Sequence, residues 1–130
     1  MPSDQAHDPR GGTASLLGRL VLDDVVMAGR IDVEGGRIAG IAPDELGADG
    51  PYIAPGLVDI HVHGWAGHEA LEGERAIAGM AQALLRHGVT SFLPTAETAP
   101  IEALVSFAAG VRRYRARRAA GSEVLGFNLE

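Results

Sequence analysis

The sequence predicts an α/β fold in which a small antiparallel β segment leads into a parallel sheet whose strands alternate with helices. Three observations predict it. Short β-branched runs separated by turn residues fill the chain as far as Ile41, the rhythm changes to strand and helix alternation after Pro55, and the two stretches between the later strands carry apolar residues at helical spacing.

Residues 1–15 are polar, contain glycine and lack any period, so a flexible tail is expected there. From Leu16 the runs Leu20–Leu22, Val25–Met27, Ile31 with Val33, and Ile38 with Ile41 read as strands. Gly35 and Gly36 allow the positive φ angles of a tight turn between strands near 30–34 and 37–41. The following APDELGADGPY (42–52) is rich in turn formers and reads as a linker. LVDIHVH (57–63) has the composition of a buried strand. Over 73–87 the residues Ile77, Met80, Ala81, Leu84 and Leu85 fall on one helix face, and Gly88 stands where a left-handed C-terminal cap belongs. Val89–Pro94 is a second strand. Thr98 or its neighbour can cap a second helix with Pro100 in its first turn, and Ile101, Leu104, Val105, Ala108 and Val111 make its buried stripe, running down to Gly121. Val124–Glu130 is a third strand. Strands separated in this way by helices lie parallel, with right-handed crossovers. The chain stops one residue after an apolar strand with no helix to cover it, and a short parallel sheet with bare edges buries little. A truncated larger protein is therefore expected.

Composition removes whole classes of function. At 130 residues the chain has room for one domain, and 46% hydrophobic with 22% charged residues is globular. No apolar stretch approaches the roughly 18 residues a membrane span needs, and the opening MPSDQAHDPRGGTAS lacks the basic end and apolar run of a signal peptide. A cytoplasmic protein without membrane contact is expected. With no Cys there are no disulfides, thiolate nucleophiles or zinc-finger ligands, so any metal must be held by His and carboxylates. All eleven cations are Arg, and the absence of Lys excludes Schiff-base chemistry and a Walker phosphate loop from this chain. A net charge of −6 makes it a poor general nucleic-acid binder.

Strand alternation puts Asp59, His61 and His63 on one face and Val58, Ile60 and Val62 on the other, a chemical face and a packing face. His61 and His63 end their strand just before Gly64, and the C-terminal ends of parallel strands are where such sheets place their sites. Two residues apart, about 6.6 Å along a strand, the imidazoles can close on one metal ion. Likewise Asn128 and Glu130 share a face of the third strand, opposite Leu125, Phe127 and Leu129, and Glu130 ends that strand. Two imidazoles and a carboxylate are a ligand set of hydrolytic metal sites that keep a position open for water.

The stretch APGLVDIHVHG (54–64) resembles the first barrel strand of the metal-dependent amidohydrolases, and GVTSFLPTAET (88–98) followed by LGFNLE (125–130) resembles the N-acetylglucosamine-6-phosphate deacetylases among them. The resemblance implies that residues 54–130 are the start of a (β/α)8 TIM-like barrel, its first three strands and two helices, preceded over 16–53 by a segment of a β-sandwich domain. It implies that Glu130 is a metal ligand, that His61 and His63 match a first-strand pair supporting a second metal position, and that the cofactor is a divalent ion (zinc, iron or similar, one or two). Asn128 stands where the family more often has His. The activity implied is hydrolysis of the N-acetyl amide of a small amino-sugar phosphate, in a full-length parent that is a homodimer. The family's catalytic aspartate comes from later strands, so no catalytic residue is assigned within this chain and the 130 residues alone are expected to be inactive.

Trp65 and His68, in the loop after the first strand, are candidates for lining the mouth of the site. His87 precedes Gly88 at a helix end and suits a structural role toward the helix dipole; His7 lies in the tail. Thr95, Glu97 and Thr98 follow the second strand on the site side. RRYRARR (112–118) holds five Arg in seven residues and reads as a solvated helix end away from the site rather than a nucleic-acid surface. Two other readings stand beside the deacetylase: a non-catalytic truncated remnant of that enzyme, and another amidohydrolase of dihydroorotase-like or deaminase-like kind, since the first strand is shared.

Overall fold

The computed structural model describes residues 12–117 and 119–130. The chain divides into two compact units, Met1–Pro55 and Gly56–Glu130.

In the first unit, strands β1 (Thr13–Val21) and β2 (Val26–Glu34) pair antiparallel from Thr13↔Glu34 to Val21↔Val26. β3 (Arg37–Pro43) returns along β2 through Gly35 and Gly36, whose φ angles of 57° and 75° are the left-handed pair that this two-residue turn requires. Asp44 then caps a one-turn helix, Glu45–Gly47, by accepting from the Leu46 N–H. Gly47 lies flat on the sheet: a Cβ there would come within 2.6 Å of the Gly18 carbonyl and 2.8 Å of that of Gly29. Finally β4 (Tyr52–Ile53) pairs with β1, and it does so in parallel, giving the order β3-β2-β1-β4. The expected linker over 42–52 therefore contains an ordered turn and leads into a sheet strand, and the segment is not purely antiparallel. Most of the expected tail, with His7, falls outside the described residues, but Thr13–Ser15 belong to β1, held by the ladder to β2 and by the Ser15 hydroxyl donating to Asp32 at 2.6 Å.

The second unit alternates strand and helix. β5 (Leu57–Val62) is followed by a hairpin of β6 (Gly64–Trp65) and β7 (His68–Glu69), then α1 (Glu74–Leu85), β8 (Val89–Ala96), α2 (Ile101–Arg117), β9 (Glu123–Val124) and β10 (Asn128–Leu129). β5, β9 and β10 all pair with β8 in parallel, so β8 is central. The third strand, expected as one piece over 124–130, is broken in two. Its register against β8 moves from Ser91↔Glu123 to Thr95↔Asn128, so one extra residue is accommodated between them. The reason lies across the ladder. The Phe92 and Ala96 carbonyls accept from Leu125 and Glu130 at 3.1 and 3.0 Å, and Pro94, midway between them on the same edge, has no N–H to give. The strand bulges where that bond is missing.

The core of this unit joins Val62, Phe92, Ala96 and Val124 of the sheet to Ile77, Met80, Ala81 and Leu84 of α1 and Phe107, Val111 and Tyr114 of α2. α1 buries the expected stripe except Leu85, which is 45% exposed; it lies about 80° round the axis from Ile77. α2 is rotated from expectation and ends at Arg117 rather than near Gly121. Phe107, Gly110, Val111 and Tyr114 face inward, while Ile101 and Val105 are 66% and 62% exposed. Two aromatic rings outweigh the aliphatic stripe in buried area, and Gly110 lets the α2 backbone close to 3.2 Å between a Cβ built there and the Gly73 Cα. Pro100 sits directly before α2, but Thr98 does not cap it, because its hydroxyl donates to the Glu130 carbonyl at 3.2 Å. No helix among the described residues is long and apolar enough to cross a membrane.

The rotated face has a measurable consequence. Phe107→Ala should cost about 3–5 kcal/mol, or abolish cooperative unfolding, whereas Val105→Ala should stay within about 0.5 kcal/mol of the parent in denaturant titration. A second follows from Tyr114, whose buried hydroxyl has no hydrogen-bond partner and whose burial pushes its pKa above 10.0. The folded state holds this proton longer than the unfolded one, so the stabilisation is complete below pH 10.0 and is lost as pH rises through the folded pKa. In a Tyr52→Phe background, phenolate absorbance should emerge above that pH, together with loss of helical signal.

Candidate metal centre

β5 carries Asp59 and His61, and His63 follows directly after its last residue, Val62; the pairing of β5 with β8 is irregular between Asp59 and Val62, so the expected shared face rests on an uneven ladder. The opposite face packs only in part: Val62 is in the core, but Val58 and Ile60 are 55% and 67% exposed.

At that end three side chains converge. His61 Nε2 lies 3.1 Å from His63 Nε2 and 3.2 Å from Glu130 Oε2, and His63 Nε2 lies 3.1 Å from the same oxygen. The rings meet edge to face with centroids 5.0 Å apart. Each member is held by the backbone around it. The Asp59 carboxylate accepts from the His61 N–H at 3.0 Å, turning the strand beneath the first imidazole. The buried Thr95 hydroxyl accepts from the Val62 N–H at 3.2 Å and donates to the Leu93 carbonyl at 3.2 Å, so it ties the end of β5 to β8 beside His61 and His63. Glu130 follows β10 and is fixed at both backbone groups, its N–H donating to Ala96 and its carbonyl accepting from Thr98.

The donor set fits a divalent cation. The three atoms form a nearly equilateral triangle, and an ion about 2.0–2.2 Å from each would subtend angles of roughly 90–105°, between octahedral and tetrahedral. Two imidazole nitrogens 3.1 Å apart can share a proton, donate to the Glu130 oxygen beside them, or direct their lone pairs at a cation. Among the described residues this is the one group of three His, Cys, Asp or Glu side chains arranged to hold a metal. The remaining imidazole nitrogen of His63, Nδ1, is buried without a hydrogen-bond partner, and Glu97 Oε1 is 4.0 Å from it.

Other sequence candidates lie elsewhere. β6 and β7 form a hairpin turning through Ala66 and Gly67, at φ 54° and 81°, and it lies along α1. Trp65 meets the His87 ring edge-on at 5.6 Å, and His68 rests on Gly79, where a Cβ would strike its imidazole. Both therefore pack on α1 instead of joining the cluster, and His87 has a packing partner as well as its place at the helix end. In the arginine run, Arg113 and Arg117 pair with Glu74 in the first turn of α1 at 3.1 and 2.8 Å, while position 118 is outside the described residues. Thr95, expected in the loop after the second strand, lies within β8, and its anchoring role was not legible because Thr90 and Ser91 of the same strand carry hydroxyls too.

Comparison with known proteins adds to this geometry. Residues 52–130 match the model of the amidohydrolase family. The N-acetylgalactosamine-6-phosphate deacetylase of Escherichia coli O157:H7 is 30% identical over 105 residues, 78% of this chain and 28% of that protein. The N-acetylglucosamine-6-phosphate deacetylase of Vibrio furnissii is 33% identical over 79 residues, 60% of this chain and 20% of that one. Among solved structures, the N-acetylglucosamine-6-phosphate deacetylase of Thermotoga maritima superposes with a TM-score of 0.79 at 26% identity, covering 89% of this chain and 31% of its own. That of Pasteurella multocida shares the fold, with a TM-score of 0.74 at 22% identity over 91% of this chain and 34% of its own. The chain thus spans less than a third of the length of the curated relatives it matches.

Removing the Thr95 hydroxyl without changing its shape tests the anchor. Thr95→Val leaves the Val62 N–H without an acceptor and should cost about 1–3 kcal/mol. Hydrogen exchange at Val62 should accelerate by more than the global loss of stability accounts for.

Proposed function

We propose a function from one premise: the chain belongs to the amidohydrolase family. Our reading is that it supplies metal ligands to a deacetylase that hydrolyses the N-acetyl amide of N-acetylglucosamine 6-phosphate, giving acetate and glucosamine 6-phosphate. The observation that carries it is the convergence of His61, His63 and Glu130 at the C-terminal ends of the two parallel strands that flank β8. Relatives named for deacetylation of two amino-sugar phosphates supply the substrate class, and the likeness to the Thermotoga maritima structure supports residues 54–130 as the beginning of a (β/α)8 barrel. The strands over 16–53 are read as part of a β-sandwich domain. A phosphorylated sugar does not cross a bilayer unaided, so a cytoplasmic location goes with this substrate. A homodimeric assembly rests on the family resemblance alone.

His61 and His63 would each offer an imidazole nitrogen and Glu130 one carboxylate oxygen, a set suited to zinc, iron or a similar ion, one or two in number. Bound there, a divalent ion would supply Lewis acidity for activating water and polarising the amide carbonyl. The chain's own part is to hold these donors in place. Asp59, Thr95 and Thr98 fix the backbone on which they sit, which keeps the donors close before any ligand arrives. The proton-transfer role is assigned to none of the described residues, and Trp65 and His68 are not carried into the reading as substrate contacts.

A chimera tests it. With residues 56–130 replacing the equivalent segment of the Thermotoga maritima deacetylase, acetate release from N-acetylglucosamine 6-phosphate should persist, while Glu130→Gln should lower it by at least the roughly 10–100-fold that loss of an outer metal partner costs. Activity confined to the galactosamine epimer would move the substrate to the other sugar. Unchanged activity in Glu130→Gln would remove the ligand assignment.

A further inference from the structure

We propose that Glu97 is a positioning residue for the metal centre, accepting the Nδ1–H of His63 and so turning the lone pair of Nε2 toward the ligand triangle. The inference rests on the metal reading above for its purpose, although the contact itself stands on this chain's own geometry. His63 has two ring nitrogens with different surroundings. Nε2 faces His61 and Glu130 at 3.1 Å each, whereas Nδ1 is buried and has no hydrogen-bond partner. A buried polar nitrogen without a partner is costly, and the carboxylate of Glu97 is 4.0 Å away. Glu97 directly follows β8, with its side chain 70% exposed, so a torsional adjustment in solvent closes that gap without disturbing the core.

Two carboxylates therefore compete for one proton. If it sits on Nε2, it is donated to Glu130 and that nitrogen cannot be a ligand. If it sits on Nδ1, Glu97 receives it and Nε2 keeps its lone pair. Metal-ligating imidazoles characteristically donate the other ring N–H to a carboxylate or carbonyl, which fixes tautomer and ring orientation. Among the described residues, Glu97 is the carboxylate that the ion-pair geometry puts within reach of His63 Nδ1.

The test uses the whole 130-residue chain, metal-free, at about pH 8, where free imidazoles are neutral. Long-range 1H–15N correlation spectra report which nitrogen of His63 carries the proton. In the parent chain the Nδ1–H form should predominate. In Glu97→Leu the population should move toward Nε2–H, and Glu97→Gln, which keeps an acceptor oxygen, should restore the parental ratio. Zinc affinity measured by calorimetry should fall roughly 10–100-fold in Glu97→Leu and recover in Glu97→Gln. An identical His63 tautomer ratio in the parent and Glu97→Leu overturns the proposal, as does predominance of Nε2–H in the parent. A chain that binds no zinc while its His63 tautomer still responds to Glu97 refutes the metal reading and leaves the positioning contact standing.

Discussion

The site depends on the parallel pairing of β5 and β10 with the two edges of β8. His61 comes from one outer strand, His63 from just beyond its end and Glu130 from just beyond the other, so they flank a strand to which none of them belongs. Outer strands of such a trio stand about 9.6 Å apart, twice the interstrand spacing. An imidazole and a glutamate side chain can close that distance only if the residue between them on β8 is small. By alternation from the inward Phe92 and Ala96, that residue is Thr95, and its hydroxyl is turned to the strand backbone instead of blocking the crossing. Parallel direction then does the rest, since all the strands present their C-terminal ends together.

Pro94 adjoins Thr95 and points to the other face. Its missing N–H opens the ladder to the third strand, and the strand takes up an extra residue before pairing again at Asn128 and Leu129. The shift decides which residue reaches the site. Glu130 arrives with its N–H on the Ala96 carbonyl, and Thr98 from the loop after β8 holds its carbonyl. A defect in hydrogen bonding and the placement of a candidate ligand are thus two ends of one short segment. Behind the sheet, α1 and α2 press Ile77, Met80, Phe107 and Tyr114 against Phe92, which keeps β8 rigid from the face away from the site.

Much of this was legible from residue order. Spacing two apart brought out His61 and His63 as a pair, and the structure has their Nε2 atoms 3.1 Å apart, while Gly35–Gly36 and Gly88 are residues that left-handed backbone prefers. The misreadings come from choices that several local patterns satisfy equally. α2 has an aliphatic stripe through Ile101 and Val105 and an aromatic face through Phe107 and Tyr114; only the space beside Gly73 and the sheet selects between them. Local sequence also did not show what Trp65 and His68 pack on: a tight turn at Ala66 and Gly67 sets Trp65 against His87 and His68 against Gly79 of α1. Parallel pairing of β4 with β1 was hidden because a two-residue strand leaves almost no periodic signal.

By itself the sequence determined the alternation of strands and helices after Pro55, the chemical face of β5, and the restriction of any metal site to histidine and carboxylate ligands, because these follow from period, turn chemistry and composition. The tertiary structure alone decided that His61, His63 and Glu130 meet with donor atoms 3.1–3.2 Å apart. It also decided that the His63 Nδ1 faces Glu97. The physical reason is that, apart from the His61–His63 pair, these contacts join residues far apart in sequence. Their closeness depends on strand register, on a bulge opposite a proline, and on the size of the one side chain lying between them.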